Sequence, residues 1–288
     1  MEYLTHIAIL VSIYGILGLS LNLVVGFTGL LSVTHAAFYG TGAYGVAILM
    51  TRFGTNFFLA LTISIIITAI ISFLIGAVFS RFKGDYYALG SLGFNVIIWS
   101  VFLNWQELTR GPLGIPGIKR PEFFGFSLSE NIHFLILSLI FLSLVYLACR
   151  FIEGSSFGRV LRAVREDEKA LQIFGYNTPY FKLAVFVFSA AMAAIAGGLY
   201  ASYITFIDPS TFTLNESIFI LAIIILGGLA SNNGSMVGAL ILVLLPEILR
   251  FVGFPSEIAA QMRQVAYGVI LIVLMLCRPQ GILGRFRF

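Results

Sequence analysis

Apolar runs about as long as a membrane is thick recur along this chain of 288 residues. A helix needs about 20 such residues to cross a hydrocarbon core of about 30 Å. About nine runs reach this length, and we expect helices because lipid offers no partner for an unpaired backbone group. They cover residues 6–26, 30–50, 57–79, 86–104, 132–150, 183–204, 214–230, 234–252 and 262–278. The sequence therefore predicts an all-α fold, a polytopic transmembrane helical bundle.

Two of these segments, 30–50 and 214–230, are interrupted by glycine and polar residues, so they either cross fully or re-enter. The stretches around them, 21–45 and 223–240, share an order of features. Each has an apolar run, a glycine pair or near-pair, a serine-containing polar break and a small-residue helix. This weak similarity suggests an internal two-fold repeat with interrupted helices, whose breaks often line the pathway of a transporter.

Charge is scarce and lies mainly in the loops. Charged residues make up 10% of the chain, whereas ordinary soluble proteins carry about 25%. A soluble domain of this length would need more charge to cover its surface, so we expect one transmembrane domain across residues 1–288. The net charge of +4 does not indicate a nucleic-acid partner, because the cations cluster in loops as orientation signals do.

The loop cations predict the orientation in the membrane. Three places carry them: Arg81 and Lys83; then Arg150, Arg159, Arg162, Arg165, Lys169 and Lys182; then Arg278, Arg285 and Arg287. By the positive-inside rule these places are cytoplasmic. We therefore expect a multi-pass plasma (inner) membrane protein in contact with lipid, with its N-terminus outside and its C-terminus in the cytoplasm. The loop 105–131, rich in glycine and proline, would lie outside and form turns.

The segment 151–182 is the most informative polar stretch. Ser155 or Ser156 is placed to cap the start of a helix, and Gly175 is placed to end it. Apolar residues recur at helical spacing at Val160, Leu161, Val164, Leu171 and Phe174. One interpretation is a solvated helix whose arginines set the topology or touch anionic lipid headgroups. The other is a docking helix that fits the groove of a partner.

The same segment resembles the cytoplasmic coupling segment of ABC-importer permeases. Its sequence GRVLRAVREDEKALQIFGYN is similar to their EAA motif, with Glu168, Ala170 and Gly175 in matching places. The spacing differs by one residue and the second alanine is absent. The resemblance implies that the segment couples this chain to an ATPase. The residues implied are Arg159, Arg162, Arg165, Glu166, Asp167, Glu168, Lys169, Ala170 and Gly175.

Four further stretches resemble the M-type permease of branched-chain amino-acid importers. They are GLSLNLVVGFTGLLSVTHAAFYGTGAY (18–44), FKGDYYALGSLGF (82–94), DPSTFTLNESIFILAIIILGGLAS (208–231) and RPQGIL (278–283). The resemblance runs in order along nearly the whole chain. It implies a permease subunit of an ATP-driven importer that translocates leucine, isoleucine and valine. The implied partners are a second permease in a heterodimer, two cytoplasmic ATPase subunits and an external binding protein.

Motifs for nucleotide binding and hydrolysis are missing from the sequence. It contains no G-x-x-x-x-G-K-[ST] and no H-E-x-x-H. We therefore expect no enzymatic activity, cofactor or metal in this chain, and ATP hydrolysis in separate subunits. Residues 40–45 fit G-x-G-x-x-G, but they lie in a membrane segment, where helix packing explains the glycines better.

An uncharged pathway is the remaining candidate site. The polar residues best placed to face it are Asn22, Ser32, Thr34, His35 and Asn95. Such a lining suits a permease that lets a solute pass without holding it tightly. Each residue could instead hydrogen-bond between helices, a contact worth about 0.6 kcal/mol.

Other functions stay open on the sequence. Related permeases that carry urea or short-chain amides resemble each other across the same motifs. A self-sufficient channel or secondary carrier would transport alone, with residues 155–182 dispensable. Few ionisable residues lie in the predicted spans, which disfavours coupling to an ion gradient.

Overall fold

Ten α-helices account for most of the computed structural model, which describes residues 2–82, 84–123, 126–127, 130–251, 265, 268–269, 272 and 281–284. The helices are α1 (Glu2–Thr28), α2 (His35–Arg52), α3 (Phe57–Phe79), α4 (Asp85–Asn104), α5 (Gln106–Thr109), α6 (Asn131–Gly154), α7 (Ser156–Ile173), α8 (Thr178–Ile204), α9 (Leu214–Gly227) and α10 (Asn232–Phe251). Short elements are two 3₁₀ turns (Gly111–Leu113 and Pro209–Phe212) and the strands β1 (Ile115–Pro116), β2 (Glu122–Phe123), β3 (Phe126–Ser127) and β4 (Phe206–Ile207). The prediction of a helical, polytopic fold is confirmed.

Five helices of the described chain are long and apolar enough to cross a membrane: α1, α3, α4, α6 and α8. The bent pair of α9 and α10 makes a sixth if it counts as one span. Nine spanning segments are therefore not confirmed. The segment predicted at 30–50 becomes helical only at His35, because residues 29–34 are a non-helical break. The segment predicted at 262–278 lies outside the described residues, apart from 265, 268, 269 and 272.

The centre of the bundle is formed by α1, α2 and α8. The apolar window of α1 is 78% buried and that of α8 61%, against 28% for α3, α4 and α6. A Cβ at Gly42 of α2 would come within 2.5 Å of Ala194 of α8. One at Gly197 of α8 would come within 2.1 Å of the Tyr39 carbonyl oxygen. The two backbones thus touch, and the glycines of residues 40–45 serve helix packing, as predicted.

The peripheral helices turn small polar residues inward and large apolar residues outward. On α3, Ser64, Thr68 and Ser72 are buried, whereas Ile66 and Ile70 are exposed. Each inward hydroxyl donates to a carbonyl one turn earlier in its own helix, so no hydroxyl is buried without a partner there. Small residues let neighbouring helices approach, and the outward apolar face suits lipid or the helix of a partner.

Helices α9 and α10 form a hairpin bent by 120°. The Tyr3 hydroxyl, at the start of α1, donates to Glu247 near the end of α10. Near the other end of α1, the Asn22 side-chain oxygen accepts from Ala230 N in the bend, at 2.9 Å. The hairpin therefore lies along α1 with its bend towards the C-terminal end of α1. The segment 214–230 therefore does not continue straight into α10, and the bent pair is a broken span or a re-entrant hairpin.

The loop 105–131 is more ordered than the predicted turns. It contains α5, a 3₁₀ turn and strand β1, and β1 pairs antiparallel with β4. Ile115 lies opposite Ile207, and Pro116 lies opposite Phe206. The prediction of turns alone is wrong here, because a partner strand between α8 and α9 supplies the hydrogen bonds. The pairing brings both loops to one end of the bundle.

Candidate functional site

Buried polar side chains gather at the break 29–34, where α2 begins. Ser32 Oγ and Thr34 Oγ1 lie 3.0 Å apart. From α4, Asn95 Nδ2 donates to the Val33 carbonyl at 2.9 Å, and Ser91 Oγ accepts from Val33 N at 3.1 Å. Both polar groups of Val33 are thus bonded by α4, which replaces the helical hydrogen bonds that the break gives up.

His35 opens α2 and reaches α8. Its Nε2 lies 2.9 Å from Ser189 Oγ, and the Ser189 hydroxyl donates to the Ser20 carbonyl of α1 at 2.6 Å. Because the Ser189 proton is used in that bond, its oxygen accepts from an N–H at His35 Nε2. His35 Nδ1 is then a buried acceptor, with no partner among the described residues. The chain His35–Ser189–Ser20 links the three central helices.

Ser217, in the first turn of α9, completes the site. Its oxygen accepts from Ala36 N at 2.9 Å and from Asn95 Nδ2 at 2.7 Å. Asn95 Oδ1 has no partner within the described chain. We call the following residues the α2 cluster: Ser32, Thr34, His35, Ser91, Asn95, Ser189 and Ser217.

Four of the five predicted pathway residues belong to the α2 cluster. The fifth, Asn22, lies at the bend between α9 and α10, where it bonds Ala230 N. All five are at most 1% exposed, and their role as a pathway lining stays a prediction. Ser91, Ser189 and Ser217 were not predicted from the sequence. The available signal was a serine in a largely apolar helix, which also fits simple packing.

A cavity of about 260 Å³ borders the cluster between α4 and the start of α9. Its lining residues are Asn95, Val96, Trp99, Thr213 and Leu214. The wall is largely apolar, with the Asn95 amide as its polar group from the α2 cluster. Trp99 is held by a bond from its Nε1 to the Pro209 carbonyl at 3.1 Å. The arrangement can accommodate a small apolar group next to a hydrogen-bonding amide.

Helix α7 forms the predicted segment and contains an unpredicted kink. Ser155 caps its start and accepts from Gly158 N at 3.2 Å, which decides between the two predicted serines. Asp167 has non-helical angles, φ −152° and ψ 97°. Its side chain accepts from Lys169 N at 2.9 Å and Ala170 N at 3.0 Å. The carboxylate therefore caps a second helical segment after the kink.

The inner side of α7 is bonded to the membrane helices. Arg165 Nη1 donates to the Gly26 carbonyl near the end of α1, where a cation also suits the helix dipole. Burial lowers the pKa of Arg165. The Glu168 carboxylate lies 2.9 Å from Lys182 Nζ and accepts from Thr178 Oγ1 at 2.9 Å. Lys182 is only 2% exposed, so this ion pair fixes α7 to the start of α8.

The outer side of α7 faces away from the bundle. Arg159, Glu166, Asp167 and Lys169 are exposed, and the last turn exposes Ile173 and Phe174, 86% and 79% respectively. The sequence placed Phe174 on an apolar side with Leu161 and Val164, which are buried. That placement is wrong for Phe174, because the kink at Asp167 breaks the helical register. Gly175 ends the helix with φ +86°, as predicted.

A contact near the C-terminus was also missed. Ile282 N donates to the Leu226 carbonyl at 3.0 Å, and Leu283 N donates to the Gly227 carbonyl at 2.9 Å. Residues 281–284 thus satisfy carbonyls at the end of α9 that no helical N–H can reach. The sequence offered only the stretch RPQGIL, without a sign of where it binds.

A family described as the permease component of branched-chain amino acid transport systems matches residues 3–276. The chain belongs to this family. Its match agrees with the resemblance found in the sequence. Membership and the long apolar helices identify a multi-pass inner membrane protein and a transport subunit.

Several known relatives align with most of this chain. LivM of Escherichia coli, a high-affinity branched-chain amino acid transport system permease protein, is 36% identical over 98% of this chain and 70% of its own length. The probable LivM of Methanocaldococcus jannaschii is 25% identical over 98% of this chain and 93% of its own. LivH of Salmonella typhimurium is 29% identical over 95% of this chain and 92% of its own. No solved structure matches the chain.

Proposed function

We propose that this chain is the membrane-spanning permease subunit of an ATP-driven importer of branched-chain amino acids. It works with a second, similar permease, two cytoplasmic ATPase subunits and an external binding protein that delivers leucine, isoleucine or valine. ATP is hydrolysed in the partner subunits, and this chain moves the solute. The family and the names of its relatives support this assignment.

The proposed mechanism rests on the hydrogen bond and the ion pair that join α7 to two of the central helices. Arg165 holds α1, and Glu168 holds α8 through Lys182. The same two helices meet again at His35, through Ser20 and Ser189. A displacement of α7 by the ATPase would therefore move Ser189, which bonds His35, and Ser20, whose carbonyl accepts from Ser189. This gives a physical route from ATP binding to the α2 cluster, and it supports our proposal that the cluster belongs to the pathway.

The exposed side of α7 is the proposed docking surface. It offers charges of both signs, and its last turn adds the exposed side chains of Ile173 and Phe174. An apolar anchor beside a charged rim is the usual composition of a protein interface. Arg159, Glu166, Asp167 and Lys169 would contact the ATPase, while Arg165 and Glu168 transmit its motion.

The proposed orientation puts α7 in the cytoplasm. The Arg165–Gly26 and Asn22–Ala230 bonds bring the end of α1, the bend and α7 towards one end of the bundle. The Tyr3–Glu247 bond and the β1–β4 pair belong to the other end. With the loop cations inside, the N-terminus faces outward. The C-terminus is then cytoplasmic, in agreement with the contact of residues 281–284 at the bend.

ATP-dependent uptake of radiolabelled leucine into proteoliposomes tests this function. The vesicles contain the chain, its partner permease and the ATPases, with binding protein outside and unlabelled urea as competitor. We expect uptake that requires every component, resists urea and is lost when Arg162 and Arg165 are changed to glutamate. Charge reversal at Lys119, in the external loop, is the matched control and should leave uptake intact.

Uptake by this chain alone, indifferent to ATP and to the arginines, would instead assign a channel or secondary carrier. Competition by urea would assign a urea or short-amide permease.

A further inference from the structure

A second cavity lies at the α7 end of the bundle and is separate from the α2 cluster. It has a volume of about 440 Å³ and sits where the end of α6, the start of α7 and the bend before α10 meet. Its lining residues are Tyr146, Arg150, Glu153, Gly154, Arg162, Ser231, Asn232 and Asn233. Apart from Gly154, every lining residue has a polar or charged side chain, whereas the cavity at Asn95 is largely apolar.

The wall of this cavity is held in place by its own bonds. Glu153 Oε2 accepts from Asn232 Nδ2 at 2.9 Å, which ties α6 to the start of α10. The Tyr146 hydroxyl donates to Asn233 Oδ1 at 2.6 Å, a second tie between the same helices. Arg162 Nη2 donates to the Glu153 carbonyl at 3.1 Å. Glu153, Asn232 and Arg162 are therefore held in place before a ligand arrives.

Two groups in the wall have no hydrogen-bond partner among the described residues. Arg150 is exposed and makes no hydrogen bond to another described residue. Asn232 is only 5% exposed, and its Oδ1 finds no partner in the described part of the chain. In addition, α10 begins at Asn232, so its first backbone N–H groups carry the positive end of a helix dipole. The cavity thus offers guanidinium and N–H donors together with a carboxylate and an unpaired carbonyl.

We propose that this cavity binds the main-chain part of a free α-amino acid. The ligand carboxylate would pair with Arg150 and Arg162 at the start of α10. Its ammonium would donate to Glu153 and to Asn232 Oδ1. A zwitterion supplies a partner for both signs of charge, whereas a phosphate carries only negative charge. A phosphate would bring that charge against the Glu153 carboxylate and supply no cation to pair with it.

The position of the cavity indicates what a bound ligand would do to transport. It lies on the side proposed to be cytoplasmic, so it meets amino acid that has already been imported. A ligand there would bridge α6, α7 and the bend, and thereby resist the motion that α7 transmits. We therefore expect internal amino acid to slow import. Because the wall has little apolar surface, the site should accept several amino acids. The ligand class rests on the proposed function, whereas the location rests on the cavity.

Equilibrium binding of radiolabelled L-leucine to the complete transporter in nanodiscs, without external binding protein, tests the site. Arg150→Gln should weaken this binding by roughly tenfold or more, as expected for the loss of a charged hydrogen-bond partner. Arg81→Gln, an exposed arginine outside the cavity, is the control and should not change it. L-Alanine should compete, while L-leucinamide and N-acetyl-L-leucine, each lacking one charge, should not.

Unchanged leucine binding in both Arg150→Gln and Glu153→Gln would overturn the proposal, as would displacement of leucine by inorganic phosphate. A transport assay separates this outcome from a failure of the proposed function. Leucine loaded inside the vesicles should slow binding-protein-dependent uptake by the parent transporter but not by Arg150→Gln. Uptake into empty vesicles should be the same for both proteins. Loss of that uptake in Arg150→Gln would contradict a separate inner site.

Discussion

The two sides of α7 differ in what they bind. The inner side is bonded to the membrane helices through Arg165 and Glu168. On the outer side Arg159 bonds only as far as the helix start, and Phe174 is exposed. A helix that transmits force needs both arrangements, because one side must be fixed to the moving parts and the other must be free for the partner. This difference predicts that substitutions on the inner side affect stability and the transmission of motion to the membrane helices. Substitutions on the outer side should affect assembly with the ATPase.

The largest effect is expected for Lys182→Met. Lys182 is the buried partner of Glu168, with side-chain exposures of 1% and 19%. Removing the cation leaves a largely buried carboxylate unpaired, which typically costs about 3 kcal/mol. The thermal unfolding midpoint of the purified chain should fall clearly. Lys169→Met, at an exposed position of the same region, should change stability by no more than about 0.5 kcal/mol. Equal shifts of the unfolding midpoint in the two variants would mean that the inner and outer sides of α7 contribute equally to stability.

Arg165→Gln should have a smaller effect on stability. It removes the bond to the Gly26 carbonyl and the cation at the end of α1, together worth about 1–2 kcal/mol. Arg159→Gln, on the outer side, is the matched change. Thermal unfolding of both variants measures the difference. If Arg159→Gln is as destabilising as Arg165→Gln, the contact between Arg165 and Gly26 adds no more to stability than the contacts of Arg159 do.

Phe174→Ser should leave stability within about 0.5 kcal/mol, because Phe174 is 79% exposed. It should weaken binding of the purified ATPase subunit by roughly tenfold or more, as the loss of an aromatic anchor typically does. Phe151→Ser removes another exposed phenylalanine, 80% exposed at the end of α6, and should not weaken that binding. An unchanged ATPase affinity in Phe174→Ser would move the docking surface elsewhere.

The smallest change is expected for Asp167→Ala. The carboxylate caps the second part of α7 through Lys169 N and Ala170 N, and loss of such a cap costs about 1 kcal/mol. Hydrogen exchange at those two amides should accelerate about fivefold. Glu166→Ala, whose side chain is exposed, should leave the same amides unchanged. Unaltered exchange in Asp167→Ala would mean that the kink is held by other contacts.

Much of the fold was predictable, because apolar length and helix-capping residues act locally. The long helices, the capping region around Ser155 and the stop at Gly175 follow from such signals. The number of spans was not predictable in the same way. The bend between α9 and α10 depends on close glycine contacts across a hairpin, where a Cβ at Gly234 would come within 2.5 Å of the Gly227 carbonyl. No sequence window contains that information.

The candidate site was predictable only in part. Ser32, Thr34, His35 and Asn95 stood out as polar residues in apolar segments, and the structure brings them together. Their partners Ser189 and Ser217 lie far along the chain and join the cluster only through helix packing. Likewise, Glu168 matched a coupling motif, but its buried partner Lys182 counted in the sequence as an orientation charge. The type of such a residue does not define its role. Its contacts with residues that are distant in the sequence do.

In the proposed mechanism, Arg165 transmits the motion of α7 to the membrane helices. The most direct test measures ATP hydrolysis and leucine uptake together in the reconstituted transporter, for Arg165→Gln and for Phe174→Ser. We predict that Arg165→Gln retains binding-protein-stimulated ATP hydrolysis but loses most uptake, so that more ATP is used per leucine. Phe174→Ser should lower hydrolysis and uptake in parallel. An unchanged ratio of ATP hydrolysed to leucine transported in Arg165→Gln would contradict the account.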